Sequence, residues 1–406
     1  MTAVDVLVVG AGPAGSAAAV TLARAGLDVL VVDRARFPRD KCCGDGLTAD
    51  ALRRLEALGL RPDALPSWRP VHDVLVRSPL GRTTRLPLPR GSGTFAAVAR
   101  RAELDAAVLD LARAAGAKVA DGHALAAADQ DGARVRATVD GFGSVTARYA
   151  VGADGAWSPL RHHLGAAVPG YLGEWHAFRQ YFANVAAPAA RDLWVWFEPD
   201  LLPGYAWSFP LAGGRANVGF GIQRGAKVAT RDMKRVWPDI LARPHIRAVL
   251  GDGAGPEAPH RAWPIPARVE RIRLAAGRAL FVGDAAAASD PMTGEGIAQA
   301  LLTGELAARA IVDTGPGDPG QAAVRYGDGV RRELVPDARM SRLLIRALRH
   351  RRGTDWALAV AAASPWTRRN FARWLFEDYP RAFVATPGRW GEHSMRGPGA
   401  WAGRRA

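Results

Sequence analysis

The sequence predicts an α/β protein: a Rossmann-type nucleotide-binding domain, an antiparallel-sheet domain inserted into it, and a helical C-terminal tail. Three observations carry this. A glycine loop lies between a short apolar strand and an Ala-rich helix at the very start of the chain. A second strand-end acid followed by a glycine-rich helix start recurs near residues 284–297. Between them, dense aromatics with two-residue alternation fill about 172–223, the pattern of half-buried strands.

The first element is Val4–Val9, an apolar strand running into Gly10-x-Gly12-x-x-Gly15. Gly10 permits the tight turn, Gly12 lets a pyrophosphate approach the backbone, and Gly15 lets helix pack on strand. The helix spans 14–26 and ends at Gly26; its start offers free amides and a positive dipole end. A second strand, 28–33, ends at Asp33, 18 residues beyond Gly15, where a carboxylate accepts ribose hydroxyls. Strand, helix and acid in this order make a parallel βαβ unit that binds a dinucleotide.

A Gly- and Cys-containing loop follows at 36–47, with helices at 48–58 and 101–116. Residues 71–88 alternate between Pro and Gly punctuation and read as antiparallel strands, and 131–153 as a hairpin feeding the strand 145–153. Strand 279–283 returns to the first domain and leads to a helix over 294–312. Helices continue from about 330, one with a Met340, Leu343, Leu344, Ala347, Leu348 stripe. The expected division is 1–70, 95–160 and 272–330 for the nucleotide-binding domain, 71–94 and 161–271 for the sheet domain, and 331–406 for the tail.

The glycine loop alone allows NAD or FAD. The segment Phe281-Val282-Gly283-Asp284 decides for FAD, since a carboxylate at this strand end can hold ribityl hydroxyls. The amides of Gly296 and Ile297, at a helix start, can face the flavin pyrimidine carbonyl and stabilise negative charge there on reduction. A third strand-end acid, Asp154-Gly155, lies between the two.

Composition sets the setting. No apolar run reaches the ~18–20 residues that span a bilayer, and the first one is too short for a signal peptide, so a cytoplasmic protein is expected. Cys42 and Cys43 are the only cysteines and are adjacent, which excludes a disulfide framework and a cysteine-built metal site. The net charge is +15, but only four of 54 basic residues are lysine, a skew in line with codon bias, and no nucleic-acid partner is expected. From Arg331 onward 16 arginines face six acids. With Trp366, Phe371, Trp374 and Phe376 interleaved, that tail suits peripheral contact with an anionic membrane at its inner face as well as it suits a plain helical cap.

The three fingerprints, in this order, resemble the flavoprotein monooxygenase superfamily with the para-hydroxybenzoate hydroxylase fold. Two further segments narrow the likeness. Lys41-Cys42-Cys43-Gly44-Asp45-Gly46-Leu47 resembles the K-x-C-G-x-G-L loop of geranylgeranyl reductases. Tyr205-Ala206-Trp207-Ser208-Phe209-Pro210, trailed by Val218-Gly219-Phe220-Gly221, resembles that family's YxWxFP and VGxG motifs. The tail around Pro365–Leu375 is similar to the actinobacterial branch, which saturates one isoprene unit of menaquinone. A halogenase or hydroxylase of the same fold is the rival reading, because halogenases share a WxWxIP motif; a geranylgeranyl lipid or diphosphate is the rival substrate.

The resemblance implies FAD contacts from Ala14, Asp33, Gly44, Asp45, Leu47, Arg101, Asp284, Gly296 and Ile297, with Leu125 or a neighbour on the adenine side. It implies hydride transfer from reduced flavin N5 to a polyprenyl C=C bond. Cys43, the family's cysteine beside the flavin, either supplies the accompanying proton or only shapes the pocket. Tyr205 and Trp207 would line an apolar substrate channel, with Trp175, Trp194 and Trp196 as weaker candidates. The electron donor is open between NADPH and a small redox protein.

Overall fold

The computed structural model describes residues 2–390, 395 and 397–403; the rest of the basic tail, 391–394, 396 and 404–406, lies outside the described residues. Five parallel strands form the spine of the first sheet, in the order Ala279–Phe281, Gly143–Gly152, Thr2–Val9, Val29–Asp33, Lys118–Asp121. Their apolar runs are buried on both faces, as parallel strands require. Helix Pro13–Arg24 connects the first two strands, with proline in its first turn. It packs on Ile297–Thr314, where Gly304 lets the backbones meet: a Cβ there would stand 2.2 Å from the Ala14 carbonyl oxygen. That long helix starts at Ile297, three residues later than the sequence pattern suggests, because Asp290–Gly296 is held as a loop by its own hydrogen bonds.

The second sheet has Trp175–Ala183, Arg215–Gln223, Tyr205–Leu211 and Leu193–Trp196 in antiparallel succession. Leu193–Trp196 then pairs in parallel with Asp73–Arg77, whose hairpin partner is Thr83–Pro87. A hairpin from early in the chain, ending at Pro87, thus completes a sheet whose other strands begin only at Trp175.

Helices Val335–Leu348, Arg351–Ala362 and Pro365–Leu375 fold over the gap between the two sheets. A capping box of Ser364 and Thr367 starts the last of them. The apolar stripe expected on Val335–Leu348 divides. Leu344 and Leu348 pack against Trp175, Met292 and Ile345, while Leu343 is 57% exposed.

Candidate functional site

Between the sheets lies one cavity of about 1230 Å³. One end is lined by Gly10, Gly12, Ala14, Asp33, Leu125 and Asp284, and the other by aliphatic and aromatic side chains under the three roofing helices. The loop 36–47 crosses its middle.

At the first end, two glycines make the cradle. Gly10 has φ +102°, and a Cβ on it would fall 2.3 Å from the Ala153 carbonyl oxygen; one on Gly15 would fall 1.9 Å from Gly10 O. Gly15 therefore serves packing, and it does not line the cavity. Beside Gly12 the nearest protein atom to a Cβ position is an Arg39 guanidinium nitrogen at 3.6 Å, so an anion approaching this backbone meets a cation. Asp33 accepts from the Ala11 and Ala35 amides at 2.7 and 2.8 Å, which fixes its carboxylate at the cavity edge. Asp284, on the turn after Ala279–Phe281, lines the cavity, and its carboxylate feels the charge of Lys41 but makes no hydrogen bond among the described residues. These groups fit a dinucleotide with ribose and ribityl hydroxyls. Burial pushes the Asp154 carboxyl up to about 6.

The helix-start amides differ from expectation. The Ile297 amide donates to Glu295 Oε1 at 2.9 Å, and the Ala298 amide to the same oxygen at 3.3 Å. The protein's own carboxyl thus caps this helix, leaving the Gly296 amide with no protein acceptor among the described residues.

The cysteine loop is held by a buried polar network. Asp45, at φ 65° and fully buried, accepts from Tyr181 Oη at 2.7 Å, Asn217 Nδ2 at 2.8 Å and the Arg101 amide at 3.3 Å. Asn217 Nδ2 also donates to the Cys43 carbonyl at 2.8 Å, and its Oδ1 accepts from Trp207 Nε1 at 3.1 Å. The Asp45 side chain is thus committed inside the protein and does not line the cavity, whereas Gly44 and Leu47 do. Burial lifts the Asp45 carboxyl to about 6. Arg101 lines the cavity with its guanidinium clamped on Asp105 by two 2.7 Å bonds. It stands beside the Cys43 thiol, whose pKa burial raises while Arg101 opposes the rise; the proton stays on sulfur at neutral pH. Cys42 is pushed up to about 12 by burial, and both thiols are free.

Asn217, Tyr181 and Asp105 escaped the sequence reading. Asn217 left a signal, as the residue opening the Val218-Gly219 segment, and so did Asp105, four residues after Arg101 at a helix start; Tyr181 left none. Removing it tests the network. Asn217→Ala strips one donor from buried Asp45 and leaves Trp207 Nε1 without its acceptor, so stability is expected to fall by about 1–3 kcal/mol, read from the urea midpoint. An unchanged midpoint would show that the network bears no load.

At the far end Tyr205 and Trp207 both line the cavity, and the Tyr205 hydroxyl donates to the Thr293 carbonyl. Trp175 lines it too. Trp194 and Trp196 do not: on this strand Leu193 and Val195 face the cavity, and alternation sends the two tryptophans to the opposite face. There Trp196 is buried in the core beneath Met233–Leu241.

Residues 3–304 match the model of the FAD binding domain family. A menaquinone reductase of Mycolicibacterium smegmatis is 38% identical over 342 residues, covering 78% of each chain. The chain belongs to the geranylgeranyl reductase family of FAD-binding oxidoreductases. A second member, a digeranylgeranylglycerophospholipid reductase of Methanopyrus kandleri, is 33% identical over 80% of this chain and 85% of its own. The fold matches that of a geranylgeranyl bacteriochlorophyll reductase-like protein from Thermoplasma acidophilum, with a TM-score of 0.79 at 20% identity, covering 96% of this chain and all of the other. This family member is an FAD-dependent oxidoreductase, and the glycine cradle, Asp33 and Asp284 are consistent with that cofactor.

Proposed function

We propose that this flavoprotein saturates C=C bonds of a polyprenyl chain, and that its substrate is menaquinone, reduced at one isoprene unit. The observation that carries the reading is the single cavity that joins the nucleotide cradle to an apolar, aromatic-walled chamber. An isoprene chain offers no hydrogen-bonding groups, so only shape and apolar contact can hold it. The likeness to menaquinone reductases supports menaquinone as the substrate.

Bound and reduced, FAD supplies hydride at N5. The residues do the rest. Gly10, Gly12 and Asp33 fix the nucleotide half, and Asp284 holds the ribityl side. Tyr205 and Trp207 position the chain. Cys43, still protonated on a cavity wall between cradle and chamber, gives its proton to the second alkene carbon. Incubating reduced enzyme with menaquinone and reading the product by mass spectrometry tests the proposal. A gain of two hydrogens is expected; no gain with menaquinone or any other polyprenyl substrate would sink it. NADPH or a small redox protein recharges the enzyme, and stopped-flow flavin bleaching distinguishes them.

The substrate is a membrane lipid, and the roof is suited to meet one. Among the described residues no helix is long and apolar enough to span a bilayer. Trp356 is 69% exposed and also lines the cavity. Leu343 and Trp366 are exposed on the neighbouring helices, and the three helices together carry exposed Arg346, Arg351, Arg352 and Arg369. Apolar side chains set among arginines bind anionic interfaces, each basic residue adding about 1 kcal/mol near the surface. The double variant Leu343→Glu, Trp356→Glu is expected to lose sedimentation with phosphatidylglycerol vesicles while keeping bound FAD. Undiminished sedimentation would place the membrane face elsewhere.

A further inference from the structure

Each saturated bond consumes one proton besides the hydride, and a chamber filled by an isoprene chain shuts water out at Cys43. Behind the chamber lies a second cavity of about 390 Å³, lined by charged groups that include Asp50, Arg53, Asp290 and Glu377. Ser289 borders both cavities. Glu295 stands on the chamber side and Glu377 on the other. Arg381, 4% exposed, stands beside both, 3.2 Å from Asp290 and 3.3 Å from Glu377. We propose that Glu295 and Glu377 form a proton inlet that recharges Cys43 from this second cavity.

The charge count supports it. The buried Arg381 guanidinium faces four carboxyls, Asp290, Glu295, Glu377 and Asp337, of which only Asp337, among the described residues, has a second arginine, Arg389, at 2.9 Å, and like charges sharing a site cannot all ionise. Asp290 takes the most donors of them: the Met292 and Thr293 amides and the Thr293 and Ser341 hydroxyls all donate to it, at 2.6–3.0 Å. The protons stay on the glutamates. Burial pushes Glu295 up to about 7 and Glu377 up to about 8. Glu295 is faced by Asp290 from its own loop, by Arg381 and Glu377 from the C-terminal segment, by Cys43, and by Tyr205. Glu377 is faced by Arg381, Asp290, Glu295 and, from helix Ala49–Leu58, Asp50. Its carboxyl also accepts from Thr48 Oγ1 and Gln299 Nε2.

The steps balance and rest on the function proposed above. Two electrons and one hydrogen arrive as hydride from the reduced cofactor, itself recharged by a two-electron donor such as a reduced nicotinamide. The S–H bond of Cys43 breaks as the second C–H bond forms. The thiolate then takes the proton of Glu295, Glu295 takes that of Glu377, and Glu377 is refilled from water in the second cavity.

Glu295→Gln keeps an oxygen to cap the Ile297 and Ala298 amides, so it should fold. In a single turnover the variant is expected to match the wild type, because Cys43 starts protonated. In steady state it is expected to fall about 10²-fold and to lack the decline in rate expected of the wild type as pH rises past about 7 to 8. An unchanged steady-state rate and pH profile would overturn the inlet. Infrared spectroscopy reads the inlet without substrate: the wild type should show two protonated-carboxyl bands titrating over that range, one lost in Glu295→Gln and the other in Glu377→Gln. If no polyprenyl chain is reduced at all, the substrate reading fails and the infrared bands still decide; bands missing from the wild type would end the proposal.

Discussion

A Cys43→Ala enzyme is expected to retain FAD and to saturate its substrate about 10²- to 10⁴-fold more slowly, the usual range for removing a positioned general acid. The expectation rests on three properties of the thiol. It lies on the cavity wall between the nucleotide cradle and the apolar chamber. Burial keeps it protonated. Its backbone is pinned through Asn217 and by the Asp45 amide, which donates to Sγ at 3.3 Å. Cys42→Ala is the control. Among the described residues that thiol makes one hydrogen bond, to the Arg261 carbonyl at 3.5 Å, and it is more strongly disfavoured as an anion than an ordinary cysteine, so its loss should leave the rate nearly unchanged. A Cys43→Ala enzyme with wild-type turnover would show that Cys43 only shapes the pocket, and the proton source would have to be sought elsewhere on the wall.

Gly10→Ala is expected to abolish stoichiometric flavin content. The new Cβ would stand 2.3 Å from the Ala153 carbonyl oxygen and 2.9 Å from the Asp154 amide nitrogen, both backbone atoms that cannot swing away, and the residue sits at φ +102°. Strain in such a backbone costs about 1–3 kcal/mol and overpacking about as much again. Together these weaken FAD binding on the order of 10²-fold or more, at about 1.4 kcal/mol per factor of ten. Flavin absorbance of the purified protein reads the effect. Gly132→Ala, in ordinary backbone with nothing within 4 Å of its Cβ, should stay fully loaded. Full flavin content in Gly10→Ala would mean that the turn relaxes and that the cradle is looser than its contacts imply.

Much of this architecture was legible because the chemistry is local. The glycine loop, the strand-end acids and the cysteine loop are short segments whose residues act through their own backbone, and spacing along the chain reveals them. What stayed hidden depends on distant segments meeting. Nothing near Asp45 announces that Tyr181 and Asn217 will surround it, and its place in the cysteine loop suggested an FAD contact without revealing that its side chain is held by those two residues. Nothing near Glu295 announces Glu377 and Arg381 from the tail. The tryptophans show the same limit: alternation identifies two faces of Leu193–Trp196, but only the assembled sheet says which of them looks into the cavity.

The order in which the chain is made gives the roof another meaning. The last piece of the nucleotide cradle is Gly296, and the chamber is not closed until Pro365–Leu375 has folded. At ~5–20 residues per second, the interval between those points lasts roughly 4–16 s on the ribosome. Throughout it a deep apolar trough stands open to water. A nascent chain in that condition is a ready client for a holdase, and early flavin capture would shorten its exposure by fixing the cysteine loop across the trough before the helices arrive.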